Sequence, residues 1–311
     1  MNLRLPPFGW WVVPHPKRIF ALAITMSPLG LLSGCGDGVL TPRGPIGSAN
    51  SIILLDAVGI MSAIVVPTII AVAAFAWWFR ASNTRAKFRP DFVYSGRIEI
   101  IVWAIPLLVI LFLSGVIWIG AHELDPFEPI DAKTKPIEVD VVSLDWKWLF
   151  IYPGEGIASV NTLTVPAGVP VHFRLTSATV MNSFFVPQLG SMIATMNGMV
   201  TQLYLKADHP GDFYGESAQF SGDGFSDMHF VLHAVPQDAF NQWLAGARAA
   251  GPALDRAGYV ALLQESQNNA PATYRSVEPN LFDAIVRQQL PTGPGPQNGS
   301  GGSQVRPIGG R

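Results

Sequence analysis

Residues 52–79 are almost continuously apolar, interrupted by Asp56 and Pro67, and residues 100–121 form a second apolar run without a charged residue. Each exceeds the roughly 20 residues needed to cross about 30 Å of hydrocarbon at about 1.5 Å per residue. Soluble core helices seldom stay apolar on every face for that length. The pattern predicts two membrane-spanning helices, with Pro67 kinking the first and Pro106 in the first third of the second. From Pro136 the period becomes two. Ile137, Val139 and Val141 alternate with Glu138 and Asp140, and Val171, Phe173 and Leu175 alternate with His172, Arg174 and Thr176, as in strands with one buried face. Between them the apolar phase shifts to Leu144, Trp146, Trp148 and Phe150, which predicts a β-bulge. Further strands are expected near 199–206, 211–215 and 228–235, with turns at 153–156, 166–168 and 209–212. Short strands at this spacing predict a sandwich or Greek-key barrel.

Beyond Pro236 the period turns helical. Phe240, Trp243, Leu244 and Ala247 share one face of a helix that Gly251 and Pro252 stop. A second helix is expected at 259–265, and a third at 280–290 with Leu281, Ile285 and Val286 inward. The Gly-, Pro- and Ser-rich tail from Pro291 is expected to be disordered.

The N-terminus adds a signal of another kind. Arg4, Lys17 and Arg18 precede a short apolar run at 19–32, followed by Ser33, Gly34 and the lone Cys35. A basic start, a short apolar core and small residues before a cleavage point describe an export signal. With Cys at its end, this one resembles a bacterial lipoprotein signal, in which the Cys becomes the lipidated first residue, by palmitate among other acyl chains. Acyl chains add about 0.8 kcal/mol of membrane affinity per buried CH₂. Charge then fixes orientation. The loop at 80–98 holds Arg80, Arg85, Lys87, Arg89 and Arg97 against Asp91 alone, so the positive-inside rule places it in the cytoplasm. Export of Cys35 and an external domain after His122 agree with that topology. Trp77, Trp78 and Trp118 fit the two aromatic belts.

The expected organisation is a membrane-anchored α+β chain. It comprises a signal peptide at 1–34, an external segment at 35–51, a transmembrane hairpin at 52–122, an external β-domain at 123–235, a helical region at 236–290 and a tail at 291–311. Nearly half the residues are hydrophobic and 14% are charged, which suits an integral membrane protein. The net charge of −2, with no Lys/Arg cluster that offers an extended phosphate-binding face, argues against a nucleic-acid partner. A single Cys excludes internal disulfides and any two-thiolate metal site. No CxxCH occurs, so covalent haem attachment is excluded as well. His229 and His233 stand four residues apart, roughly 13 Å along a strand at about 3.3 Å per residue, too far to share one metal. His172 and His209 read as surface residues. Asp56 reads as an outer-boundary residue, whereas Glu99, beside Arg97 at the cytoplasmic edge of the second span, is a candidate proton-collecting carboxylate.

Three stretches carry a family resemblance: VVSLDWKWLFIYP from Val141, VMNSFFVPQLGS from Val180 and FYGESAQFSGDGFSDM from Phe213. With the lipoprotein-type signal and two spans, they resemble subunit II of the haem–copper respiratory oxidases. The C-terminal helices extend the match to its quinol-oxidising branch, the cytochrome bo type. In the cytochrome c-oxidising branch the external domain has a cupredoxin fold with a binuclear copper centre. Its ligands are two Cys, two His, a Met and a Glu backbone carbonyl. Motif by motif, the first His position is Asn182, the Cys positions are Ser217 and Ser221, the Glu is Gln219, the second His is Phe225, and Met228 retains the Met. Redox copper wants thiolate and imidazole, and a serine hydroxyl stays protonated near neutral pH. No metal is therefore expected at these positions. Trp146 and Trp148 resemble the aromatic region through which electrons reach the copper in those relatives, and without it they are expected to pack the sandwich.

The resemblance implies a non-redox subunit II of a proton-pumping ubiquinol oxidase in a bacterial inner membrane. Haem b, haem o (or a) and copper are then expected in subunit I, and the partners are subunit I, smaller membrane subunits, membrane lipid and ubiquinol through the complex. It places Glu99 near the mouth of a proton channel. Two alternatives remain open on the sequence: a cytochrome c oxidase subunit whose copper site has degraded or moved, and a free-standing membrane lipoprotein acting as assembly factor or sensor.

Overall fold

The computed structural model describes residues 38–87 and 89–293. The expected signal at 1–34, Cys35 as the expected lipidation site and the tail from 294 onward lie outside the described residues. Two long helices open the described chain, α1 (Pro45–Trp78) and α2 (Gly96–Glu123), and both are long and apolar enough to cross a membrane. Pro67 and Pro106 lie inside them. The helices meet along a narrow seam. Ile53, Ala57, Ile60 and Ile64 of α1 are half-buried, as are Val109, Leu113 and Val116 of α2, and Gly120 is buried. That i, i+4, i+7 spacing places each set on one face. Gly120 closes the seam, because a Cβ there would stand 2.7 Å from Ile53 Cδ1. Every other face of the hairpin is exposed and apolar, including Ile70, Phe75, Trp103 and Phe112.

The first helix begins earlier than its apolar run, taking in the polar residues 45–51. The reason is docking to the β-domain. Arg43 N–H donates to Gln188 O at 2.8 Å, Gly47 N–H to Leu189 O at 3.0 Å, and Asp208 N–H to Arg43 O at 2.9 Å. Asn50 Nδ2 adds a bond to Ser191 Oγ at 3.0 Å. Glycine is required here: a Cβ on Gly44 would sit 2.1 Å from Lys206 O, and one on Gly47 would sit 2.5 Å from Gln188 O.

The β-domain is two packed sheets. One holds β1 (Ile137–Leu144), β2 (Lys147–Tyr152), β3 (Ile157–Val160), β5 (Val171–Ser177), β8 (Thr201–Leu205) and a late strand β12 (Ala272–Tyr274), in the order β12-β3-β2-β1-β5-β8. The other runs β4-β10-β9-β6-β7, from β4 (Thr162–Pro166), β6 (Asn182–Phe185), β7 (Ile193–Thr195), β9 (Gly211–Ser217) and β10 (His229–Val235). Parallel pairing of β1 with β5, and of β4 with β10, ties remote segments together. Between the sheets lies a core of Val139, Val141, Trp148, Phe150, Phe173, Phe184 and Phe230, with other apolar residues around them.

The bulge expected after Val141 does not form. Leu144 pairs directly with Lys147 and the β1–β2 register runs without interruption, so Asp145 and Trp146 make a two-residue turn with Trp146 at φ 59°. The apolar phase shifts because both faces of this hairpin are covered. Val139, Val141, Trp148 and Phe150 face the sandwich core. Val142, Leu144, Leu149 and Ile151 face a second core on the outer side of the sheet. That second core is completed by the C-terminal region. After α3 (Gln237–Ala249), which packs Phe240, Leu244 and Ala247 on the first core, the chain forms β11 (Ala253–Leu254), α4 (Arg256–Leu262), β12, β13 (Ser276–Val277) and α5 (Leu281–Val286). Leu254, Tyr259, Leu263, Leu281, Phe282, Ile285 and Leu290 lie on the sheet. The third helix is thus shorter than expected, and Phe282 is buried where Val286 was expected, Val286 being only half-buried. The tail also begins as ordered chain, since Gly293 N–H donates to Ala178 O at 3.0 Å.

Candidate functional site

The loops at one end of the sandwich bring together most of the positions where the resemblance expects copper ligands. Asn182 opens β6, Ser217 ends β9, and the chain returns through 218–224 and a 3-10 turn (Phe225–Asp227) to Met228. The loop is pinned by Ser217 N–H to Met228 O at 3.1 Å and Ala218 N–H to Ser183 O at 2.9 Å. Ser217 Oγ donates to Asn182 Oδ1 at 3.0 Å, and Ser221 Oγ lies 4.0 Å from Met228 Sδ. Asn182, Ser217, Ser221 and Met228 are all buried. Gln219 points to solvent, although its carbonyl lies 3.3 Å from Ser217 Oγ. Phe225 turns to the neighbouring Phe220, ring edge to ring face at 5.6 Å.

This donor set does not fit a copper pair. The Ser217 hydroxyl and the Asn182 amide are engaged with one another, the Ser221 hydroxyl faces the Met228 thioether, and the second imidazole position holds a ring with no lone pair. Further polar bonds back the cradle: Asn182 Nδ2 donates to Val180 O at 3.3 Å, and Thr195 Oγ1 to Asn182 O at 3.3 Å. Thr195 Oγ1 is also 2.8 Å from Ser143 Oγ. A small hydrogen-bonded plug has the place of the metal, and satisfied buried polar groups of this kind rigidify a loop.

Trp148 is fully buried and meets Phe184 and Phe230 edge-on at 5.5 and 5.8 Å, the packing role expected of it. Trp146 does something the sequence did not suggest. Its indole N–H donates to Ser221 O at 3.1 Å, and the ring lies so close over Gly224 that a Cβ there would stand 2.3 Å away. The β1–β2 turn therefore caps the emptied loop. Its next residue, Lys147, reaches the opposite way. Only 2% exposed, its ammonium donates to Gln264 O at 2.8 Å, Ser266 Oγ at 2.5 Å and Asp145 O at 3.2 Å. Burial pulls this amine down to about 8, against the nearby charges of Asp145 and Glu265. A lysine inside an aromatic run was the one available sequence signal for it.

Other expected residues fall apart from the cradle. His233 Nδ1 is 2.6 Å from Asp212 Oδ1, His229 stacks on Tyr214, and both lie on one side of β10. His172 is half-buried rather than a plain surface residue, stacked on Tyr204 at 4.5 Å with Nε2 3.0 Å from Gln202 Oε1. Among the described residues no three His, Cys, Asp or Glu side chains gather closely enough to hold a metal. Glu99 stands exposed in the first turn of α2 beside Arg97.

Residues 137–235 match the family model for the periplasmic domain of cytochrome c oxidase subunit II, and residues 248–292 match the COX aromatic-rich motif. Among curated relatives, ubiquinol oxidase subunit 2 of Acetobacter aceti is 47% identical over 82% of this chain and 84% of its own length. The cytochrome bo(3) ubiquinol oxidase subunit 2 of Pseudomonas aeruginosa is 44% identical over 85% of this chain and 80% of its own. That of Pseudomonas putida is 45% identical over 86% and 85%. The sandwich is thus the cupredoxin-like domain of subunit II, and the chain belongs to the ubiquinol oxidase subunit 2 family.

Proposed function

We propose that this chain is the non-redox subunit II of a proton-pumping quinol oxidase, which oxidises ubiquinol and reduces dioxygen to water. The observation that carries the reading is the plugged cradle: Asn182, Ser217, Ser221 and Phe225 stand where a copper pair would need imidazole and thiolate. Electrons then have no route through this domain, and a membrane quinol delivers them to subunit I, which would hold haem b, haem o or a, and copper. This chain packs its hairpin against subunit I, and the sandwich caps it on the periplasmic side of a bacterial inner membrane. The apolar outer faces of α1 and α2 suit burial against lipid and neighbouring helices, and lipidated Cys35 would add a second anchor. Glu99 would pass protons inward from the cytoplasmic face.

A haem and copper inventory of the purified complex, assayed with ubiquinol and with reduced cytochrome c, tests the reading. Oxidation of quinol alone is expected, with copper present once per complex. Two further copper atoms on this subunit, or turnover with cytochrome c, would overturn it. For Glu99, the Glu99→Gln variant is expected to lower turnover and pumping severalfold, and unchanged values would remove its role in proton uptake.

A further inference from the structure

The outer face of the six-stranded sheet carries a charged cluster that quinol oxidation does not use. Asp140 on β1 and Arg174 on β5 are partners across the parallel ladder. Asp140 is 4% exposed, and its Oδ1 makes no hydrogen bond while lying 3.5 Å from the Arg174 guanidinium. Arg174 turns its other arm to the C-terminal region. Its Nη2 donates to Asp283 Oδ1 at 2.9 Å, and the guanidinium carbon lies 4.7 Å from the centroid of the Phe282 ring. One cation is therefore shared between a buried acid of the sheet and an acid of α5. Glu138 is the other charge on β1, and its register partner on β5 is His172. From β2 the partner of Asp140 is Ile151, which offers no charge.

We propose that this cluster is a proton-operated clasp, holding α5 and the C-terminal region more tightly on the sheet when the surrounding compartment is acidic. When Asp140 is ionised it competes for Arg174, repels Asp283 and Glu138, and keeps a charge under the covering helix. When it is protonated, Arg174 belongs wholly to Asp283 and the buried charge is gone. Burial, the largest influence, raises the carboxyl from its ordinary 3.8 to about 7, with Arg174 opposing. A carboxyl raised in the docked state binds a proton that the undocked state lacks between those two values. Docking therefore weakens as pH rises from about 4 to 7 and is level above 7. Under the proposed function this compartment receives the pumped protons, so the clasp would tighten as the gradient builds; the clasp itself stands without that reading.

Hydrogen exchange of the purified complex, read by mass spectrometry on peptides spanning 281–290 at pH 5.5 and pH 8 and corrected for intrinsic rates, tests it directly. Opening of α5 is expected to be about tenfold or more rarer at pH 5.5. Asp140→Asn should give the low-pH protection at both pH values, whereas His172→Gln should leave the wild-type difference in place. Equal wild-type protection at the two pH values overturns the proposal. So does a pH difference that survives Asp140→Asn or vanishes with His172→Gln. The wild-type measurement and the His172→Gln variant decide the matter even if Asp140→Asn does not assemble.

Discussion

Lys147 shows how one side chain is turned by its surroundings. A lysine is almost never fully buried without partners, and this one is accepted only because two carbonyls and a hydroxyl receive its three protons. Removing it takes a buried donor from those acceptors, so Lys147→Ala is expected to cost about 2 to 4 kcal/mol. Faster proteolysis within 262–270 should report it, and unchanged protection would show that the ammonium holds nothing. Its pH dependence runs opposite to that of Asp140. Because burial lowers the amine from 10.5 to about 8, the folded form releases a proton that the unfolded form keeps between those values. The stability contribution therefore rises as pH climbs from 8 to 10.5. In Lys147→Met the rise should disappear, which thermal unfolding at pH 8 and pH 10 can read.

At the scale of elements, the junction between α1 and the sandwich is the feature that positions everything outside the membrane. Three backbone hydrogen bonds join Arg43 and Gly47, at the start of α1, to the loops that hold Gln188, Leu189 and Asp208, and they are possible only because Gly44 and Gly47 let the backbones touch. Gly44→Val would drive a side chain into Lys206 O and break the contact. The expected result is loss of at least about 2 kcal/mol at the junction and a fall in assembled complex, visible as faster exchange of Arg43 and Gly47 amides. The hairpin of β1 and β2 is the second organising element. Its turn residues face two ways, Trp146 onto the emptied loop and Lys147 onto the C-terminal region, so it links the plug to the aromatic-rich segment. Asn161 reinforces that link, accepting from Trp148 N–H at 2.8 Å and donating to Asn269 O at 3.0 Å.

For the whole molecule, apolar burial and polar bonds stabilise the sandwich, and the proposed function leaves no part of that to a metal. Chelation should therefore leave the melting of the external domain within the complex unchanged, whereas a domain organised by copper would lose several kcal/mol. A chelator-dependent shift in its unfolding would contradict the plugged cradle. The second core has a consequence at the same scale. Sheet and C-terminal region share Val142, Leu149, Phe282 and Ile285 in one core, although two family models divide them.

How much of this the chain announces on its own depends on the range of the interaction concerned. The two apolar helices and the period-two strands are local properties of composition and spacing, and both could be read along the sequence. The chemistry of the cradle lies in residue types: no tertiary arrangement turns Ser217 and Ser221 into thiolates. The two-residue turn at Asp145 and Trp146 was not legible, because it uses neither Gly nor Pro and because apolar residues on both faces erase the period of two. The second core, the burial of Lys147 and the shared Arg174 were hidden for a related reason. Each depends on segments about 100 residues apart in the chain meeting across a sheet, and only the tertiary structure decides which face is covered and therefore which charges are buried.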